Sequence, residues 1–98
     1  MGYVQIIELQ TERFDEVEAL HEEWLAATEG TRTTISEMVL ADRDRPGRHL
    51  VVVEFASAED AAANNDLPAT AAFAERLQPL LDGPPVFSNL DVVRVDRT

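Results

Sequence analysis

The sequence has 98 residues, of which 45% are hydrophobic and 28% charged, and nineteen acidic against eight basic side chains leave a formal net charge of −11. A surface this acidic repels phosphate backbones and anionic bilayers, so neither nucleic acid nor a membrane is an expected partner. There is no cysteine, hence no disulfide, thiolate metal site or cysteine nucleophile, and no apolar run approaches the roughly 20 residues of a membrane span. The expectation is one cytoplasmic domain over residues 1–98, of a size that buries roughly 60–65% of its unfolded surface and gains from a partner subunit.

Tyr3 to Leu9 (YVQIIEL) is short and β-branched, with apolar residues on both parities, and reads as a strand buried on both faces. Thr11 and Asp15 are candidate N-caps for the next segment, with Glu18 three residues beyond Asp15 in capping-box spacing. Phe14, Val17, His21, Trp24 and Thr28 then fall on one line of a long amphipathic helix, and Gly30 supplies its stop. Thr33 to Arg43 is a second strand with imperfect alternation, and Pro46-Gly47 suits a type II turn. His49 to Phe55 (HLVVVEF) is the most continuous apolar strand in the chain.

Ser57 and Asp60 form an S-x-x-D cap on a second helix that Asn64-Asn65-Asp66 interrupts and Pro68 restarts. Pro79 predicts a kink or an early end, Asp82 to Pro85 is a loop, and Val86 to Val95 reads as the last strand. The order β-α-β-β-α-β predicts the α+β class with the ferredoxin-like arrangement, a four-stranded antiparallel sheet carrying two helices on one face. Two helices cover only one face. Yet the strands carry apolar residues on both parities, such as Leu50 and Val52 against Val51, Val53 and Phe55. That leaves an apolar face larger than monomers tolerate and predicts a homodimer packed through the sheet.

The most specific stretch is the end of the third strand entering the second helix: Phe55, Ser57, Asn64 and Phe73. On it, and on the element order, the chain resembles the dimeric α+β barrel superfamily, near the antibiotic-biosynthesis monooxygenase-like domains. Members commonly carry an aromatic residue at the strand end, a small cap two positions on, a histidine on the helix and a later phenylalanine. Ser57 and Phe73 agree. Phe55 stands where tryptophan is usual and Asn64 where histidine is usual, and Gln5 occupies the first strand where the haem enzymes carry asparagine, so the resemblance does not extend to haem. It implies a pocket between helices and sheet for a small hydrophobic or aromatic ligand and no cofactor.

His21 is the sharpest candidate for chemistry, because a histidine on the sheet-facing stripe can exchange a proton near neutral pH, as oxidation through a substrate carbanion requires. The plainer alternative is a ring nitrogen that satisfies a backbone carbonyl. Asn64 is the second catalytic candidate and Asn65 a substrate contact, through amide hydrogen bonds to a ligand carbonyl; their plainer role is helix interruption and capping. Trp24, Phe55, Phe73 and Tyr3 are candidate substrate contacts, with Trp24 equally at home as core. Gln5, Ser36, Glu37 and Asn89 enter the same cavity only if strand parity allows. His21 and His49 lie far apart without ligand spacing, so no metal set emerges, and no glycine-rich phosphate loop or nucleophile elbow is present. Three roles follow: a cofactor-independent monooxygenase-like enzyme acting on an aromatic or polyketide-type substrate, a non-catalytic ligand-binding homodimer, or a structural module whose pocket is filled by Phe14, Trp24, Phe73 and Leu77.

Overall fold

The β-branched runs become strands and the amphipathic runs helices. The computed structural model describes residues 2–98. The elements are β1 (Tyr3–Gln10), α1 (Phe14–Ala27), β2 (Thr34–Ala41), β3 (Arg48–Phe55), α2 (Ala58–Asn65), α3 (Pro68–Leu77), a 3-10 turn at Gln78–Leu80, and β4 (Val86–Asp91). The strands form one antiparallel sheet in the order β2-β3-β1-β4, the ferredoxin-like topology.

Register decides what each face carries. Glu37 and Gln5 both pair with Val53, Val39 and Ile7 with Val51, and Phe87 with Ile7, so the odd-numbered residues of β1, β3 and β4, and of β2 from Glu37 onward, share the helix-covered face. On that face Leu9 joins Val17, Leu20 and Leu77 in one buried cluster, and Val53 and Phe55 join Ala61 in another. Burying a leucine such as Leu20 stabilises the fold by about 1.5–3 kcal/mol. Even-numbered residues line the opposite face: Val4, Ile6, Leu50, Val52, Met38, Leu40, Val86 and Leu90. Met38, Val86 and Leu90 are exposed there. Beside them Arg48 bridges Glu8 and Asp42.

The β2–β3 turn closes with Arg48 N donating to Arg45 O, and Gly47 sits at φ +85°, in the left-handed region that suits glycine. A Cβ at Gly47 would lie 2.6 Å from Gln10 Nε2 and 3.1 Å from Thr11 O. Glycine is needed there twice over.

Several expectations change in detail. Neither Thr11 nor Asp15 is the N-cap of α1. Arg13 holds that position without a side-chain cap, and Asp15 lies inside the first turn. Buried Thr11 instead accepts from Arg13 N at 2.9 Å and donates to Leu80 O, tying the helix entry to the 3-10 turn. Gly30 is in the left-handed region (φ +82°), but the helix has already ended at Ala27 with Thr28 as its cap. Ser57 caps α2 as expected, its hydroxyl accepting from Asp60 N at 3.1 Å. The second helix divides into α2 and α3 around Asp66, with Pro68 in the first turn of α3, and Pro79 falls in the 3-10 turn after α3 ends. The last strand stops at Asp91, short of Val95, because its partner β1 begins at Tyr3 and, among the described residues, only one further bond, Val92 N to Gly2 O, prolongs the pairing. Val93 and Val95 are left exposed. β1 is only partly buried: Leu9 alone is buried, while its even-numbered side chains lie on the uncovered face and Gln5 and Ile7 open onto the space under the helices.

Candidate functional site

Between α1, α3 and the covered face of the sheet the side chains do not close up. They leave a cavity of about 280 Å³, close to the lower end of the volumes typical of ligand sites. Phe14, Trp24, Phe73 and Leu77 wall this space instead of filling it, which disfavours the structural-module reading. His21, Asn64, Trp24, Asn65, Phe55 and Phe73, all singled out in the sequence, lie on its wall. Tyr3 is the exception. It shares the covered face but sits at the end of β1 opposite Phe55, and it packs against that ring at 6.2 Å between centroids, outside the cavity wall.

Strand parity resolves the remaining polar candidates. Gln5 and Glu37 face the cavity. Gln5 donates to Asn89 on the same face at 3.1 Å, whereas Ser36 bonds Glu54 on the opposite face.

His21 projects from the sheet side of α1, half-stacked on Trp24 (5.8 Å between centroids, 12° between planes) and edge-on to Phe73 at 6.4 Å. Its Nε2 is buried and lies 3.4 Å from a Glu37 carboxylate oxygen. That separation is close enough for charge attraction, but the geometry is too poor for a hydrogen bond, so Nε2 has no hydrogen-bond partner in the described protein. No backbone carbonyl satisfies it, contrary to the plainer reading of this residue. The Glu37 carboxylate raises the imidazole above its ordinary pKa of 6.5; burial opposes the shift, and Glu22 and Glu18 add to it. Glu37 is the group that sequence reasoning left among several strand residues, and its pairing with Val53 is what aims it here.

Trp24 is buried and its indole Nε1 donates to Thr70 Oγ1 at 3.0 Å, which fixes the ring between α1 and α3. Asn64 is buried at the end of α2. Its Oδ1 accepts from Thr33 N at 3.3 Å, while Thr33 Oγ1 donates to Asp60 O at 2.6 Å, so the helix interruption is clasped to the entry of β2. With Oδ1 committed to a backbone donor, the amide nitrogen is the part left to meet a ligand, as a hydrogen-bond donor. His49 lies at the edge of this region, stacked on Phe14 at 3.8 Å with 4° between planes. Among the described residues no group of three or more His, Cys, Asp or Glu side chains is placed to hold a metal ion, and no helix is long and apolar enough to cross a membrane.

The same architecture occurs in several solved structures. A candidate antibiotic biosynthesis monooxygenase of Caulobacter crescentus superposes with a TM-score of 0.83 at 17% identity, covering 95% of this chain and 91% of its own. A candidate antibiotic biosynthesis monooxygenase of Nitrosomonas europaea gives 0.78 at 14% identity, covering 94% and 90%. A variant of SnoaB, a cofactor-independent oxygenase of Streptomyces nogalater, gives 0.82 at 10% identity over 96% and 95% of the two chains. No family model matches the sequence, and no curated protein does. The chain therefore has the ferredoxin-like α+β fold of the antibiotic-biosynthesis-monooxygenase-like structures, and at these identities the likeness is one of fold.

Proposed function

We propose that this chain is a cofactor-independent monooxygenase-like enzyme acting on an aromatic or polyketide-type molecule bound between helices and sheet. The observation that carries the reading is His21, whose buried Nε2 has no hydrogen-bond partner among the described residues, set against Glu37 in a cavity walled by Trp24 and Phe73. In the reaction, neutral His21 takes a proton from an acidic C–H or O–H of the substrate, and the Glu37 carboxylate stabilises the imidazolium that forms. The resulting carbanion passes one electron to O₂, and the substrate radical and superoxide recombine as a peroxide anion. The imidazolium returns its proton to the peroxide. Loss of water then converts a ring CH₂ to C=O, so that substrate plus O₂ gives ketone plus H₂O. Asn64 donates its amide N–H to the oxygen that carries the developing negative charge.

One feature favours a second reading, a ligand-binding protein without turnover: the same carboxylate that would stabilise imidazolium also keeps His21 protonated to higher pH, depleting the base. Oxygen uptake with a panel of anthrones and hydroquinones separates the two. Turnover that falls at least 100-fold in His21→Ala is the expected result for general-base catalysis. Binding without oxygen uptake supports the second reading, and uptake unchanged in His21→Ala removes the mechanism.

In either role the working unit is proposed to be a homodimer. The even-numbered face presents Met38, Leu40, Val86 and Leu90 at 57%, 38%, 54% and 44% exposure, contiguous with Ile6 and Val52, and a second copy with the same face would cover it.

A further inference from the structure

We infer that the cavity selects a ligand carrying a protonated amine on an apolar, ring-bearing body, and discriminates against carboxylates and phosphates. The inference rests on the cavity being the ligand site, not on oxygen chemistry taking place there.

The charge inventory of the wall is the first argument. Two carboxylates, Glu18 and Glu37, line the cavity, and no arginine does. The arginines nearest in sequence to its helices are engaged elsewhere: Arg13 pairs with Glu16, Arg76 with Glu23, and Arg32 donates to Leu25 O. Apart from His21, an anionic ligand would meet no cation on the wall. A ligand cation would meet a half-buried carboxylate where water screens the attraction less than at the surface.

The aromatic lining is the second. Trp24 and Phe73 lie 6.5 Å apart with their planes at 54°, and the His21 ring closes a third side. Tilted rings and a carboxylate lining one cavity suit an organic cation, the ring faces attracting the charge and the apolar walls the body. The third argument is the field of the whole molecule. A net charge of −11 raises the local concentration of cations and lowers that of anions before any contact is made.

His21 gives the inference a signature that a bare acidic surface would lack. Its ring is faced by Glu37 from β2 and by Glu18 and Glu22 from its own helix, together with the Trp24 and Phe73 rings. A ligand cation beside Glu37 competes with the imidazolium for the same carboxylate. Binding therefore expels the His21 proton to solvent, and affinity for the amine rises with pH while the amine itself remains protonated.

Titration calorimetry with 1-naphthylmethylamine, 1-naphthylmethanol and 1-naphthoate, which share one ring system, tests the inference. The amine is expected to bind one per chain, at least tenfold tighter than the alcohol, with naphthoate weakest and proton release visible as a buffer-dependent heat. Glu37→Gln is expected to reduce the amine-to-alcohol ratio below about threefold. Glu18→Gln, at an exposed site that tolerates substitution, is expected to reduce it partly and serves if Glu37→Gln fails to fold. If the alcohol or naphthoate binds as tightly as the amine, charge selection is refuted while the cavity remains a ligand site. Amine affinity unchanged in both glutamine variants refutes the inference by placing the binding on the acidic exterior. If none of the three binds, both the inference and the ligand-site reading fall.

Discussion

Replacing Asn64 by alanine tests whether that side chain holds the fold together as well as facing the cavity. The substitution removes the acceptor for Thr33 N and leaves that donor, in a partly buried position, without its partner. An unsatisfied buried donor costs about 1–3 kcal/mol, and alanine's better helix propensity at the end of α2 returns at most about 0.7 kcal/mol. The net loss is therefore about 0.3–3 kcal/mol. At roughly 4–8 °C per kcal/mol for a domain of this size, the midpoint of thermal unfolding should fall by about 1–24 °C. Asn65→Ala is the matched control. The neighbouring amide is exposed and makes no side-chain hydrogen bond among the described residues, so its change should stay within about 0.5 kcal/mol. Differential scanning calorimetry on both variants decides the matter. If Asn64→Ala is as stable as Asn65→Ala, the clasp between α2 and β2 contributes nothing and the argument from Thr33 fails.

Two further predictions concern His21 and the uncovered sheet face. Because the folded-state pKa of His21 is raised, its contribution to stability is fully present below the unfolded value near 6.5 and is lost as pH rises through the raised folded value. Ring-proton NMR should show His21 titrating above that value, and Glu37→Gln should lower its pKa and flatten stability over the same window; an unmoved titration would refute the role of Glu37. Met38→Asp combined with Leu90→Asp places charge on the proposed interface and should convert a dimer to monomer in sedimentation equilibrium, whereas a wild type that is already monomeric would refute the dimer proposal.

The element order, the Ser57 cap, the break around Asn64-Asn65-Asp66 and the early end at Pro79 were legible because each rests on local chemistry that a few adjacent residues determine. Placement on the cavity was legible for residues of helical stripes, His21, Trp24 and Phe73, because helical periodicity points them all one way. It failed for Tyr3, whose parity is right but whose position along β1 is past the cavity's end. Glu37 could not be placed because β2 is apolar on both parities, and an irregularity between Thr34 and Ser36 disturbs any count made from its start. Counting back from a two-residue Pro46-Gly47 turn would have turned it to the wrong face, because the ladder pairs Ala41 with His49 and the loop is longer than that turn. The end of β4 depends on where β1 begins, a tertiary fact to which the β-branched run Val92-Val93-Arg94-Val95 is blind.

The Gly47 turn reaches further than the hairpin it closes. Side chains alternate along a strand, so slipping β2 by a single residue against β3 would turn Glu37 outward and bring a neighbour, Ser36 or Met38, onto the cavity wall. The carboxylate beside His21 is thus held in place by the backbone geometry of a distant solvent-facing loop. Changing that loop's length by one residue, with the slip it invites, is a route to a cavity of different charge in which no residue of the wall has been mutated.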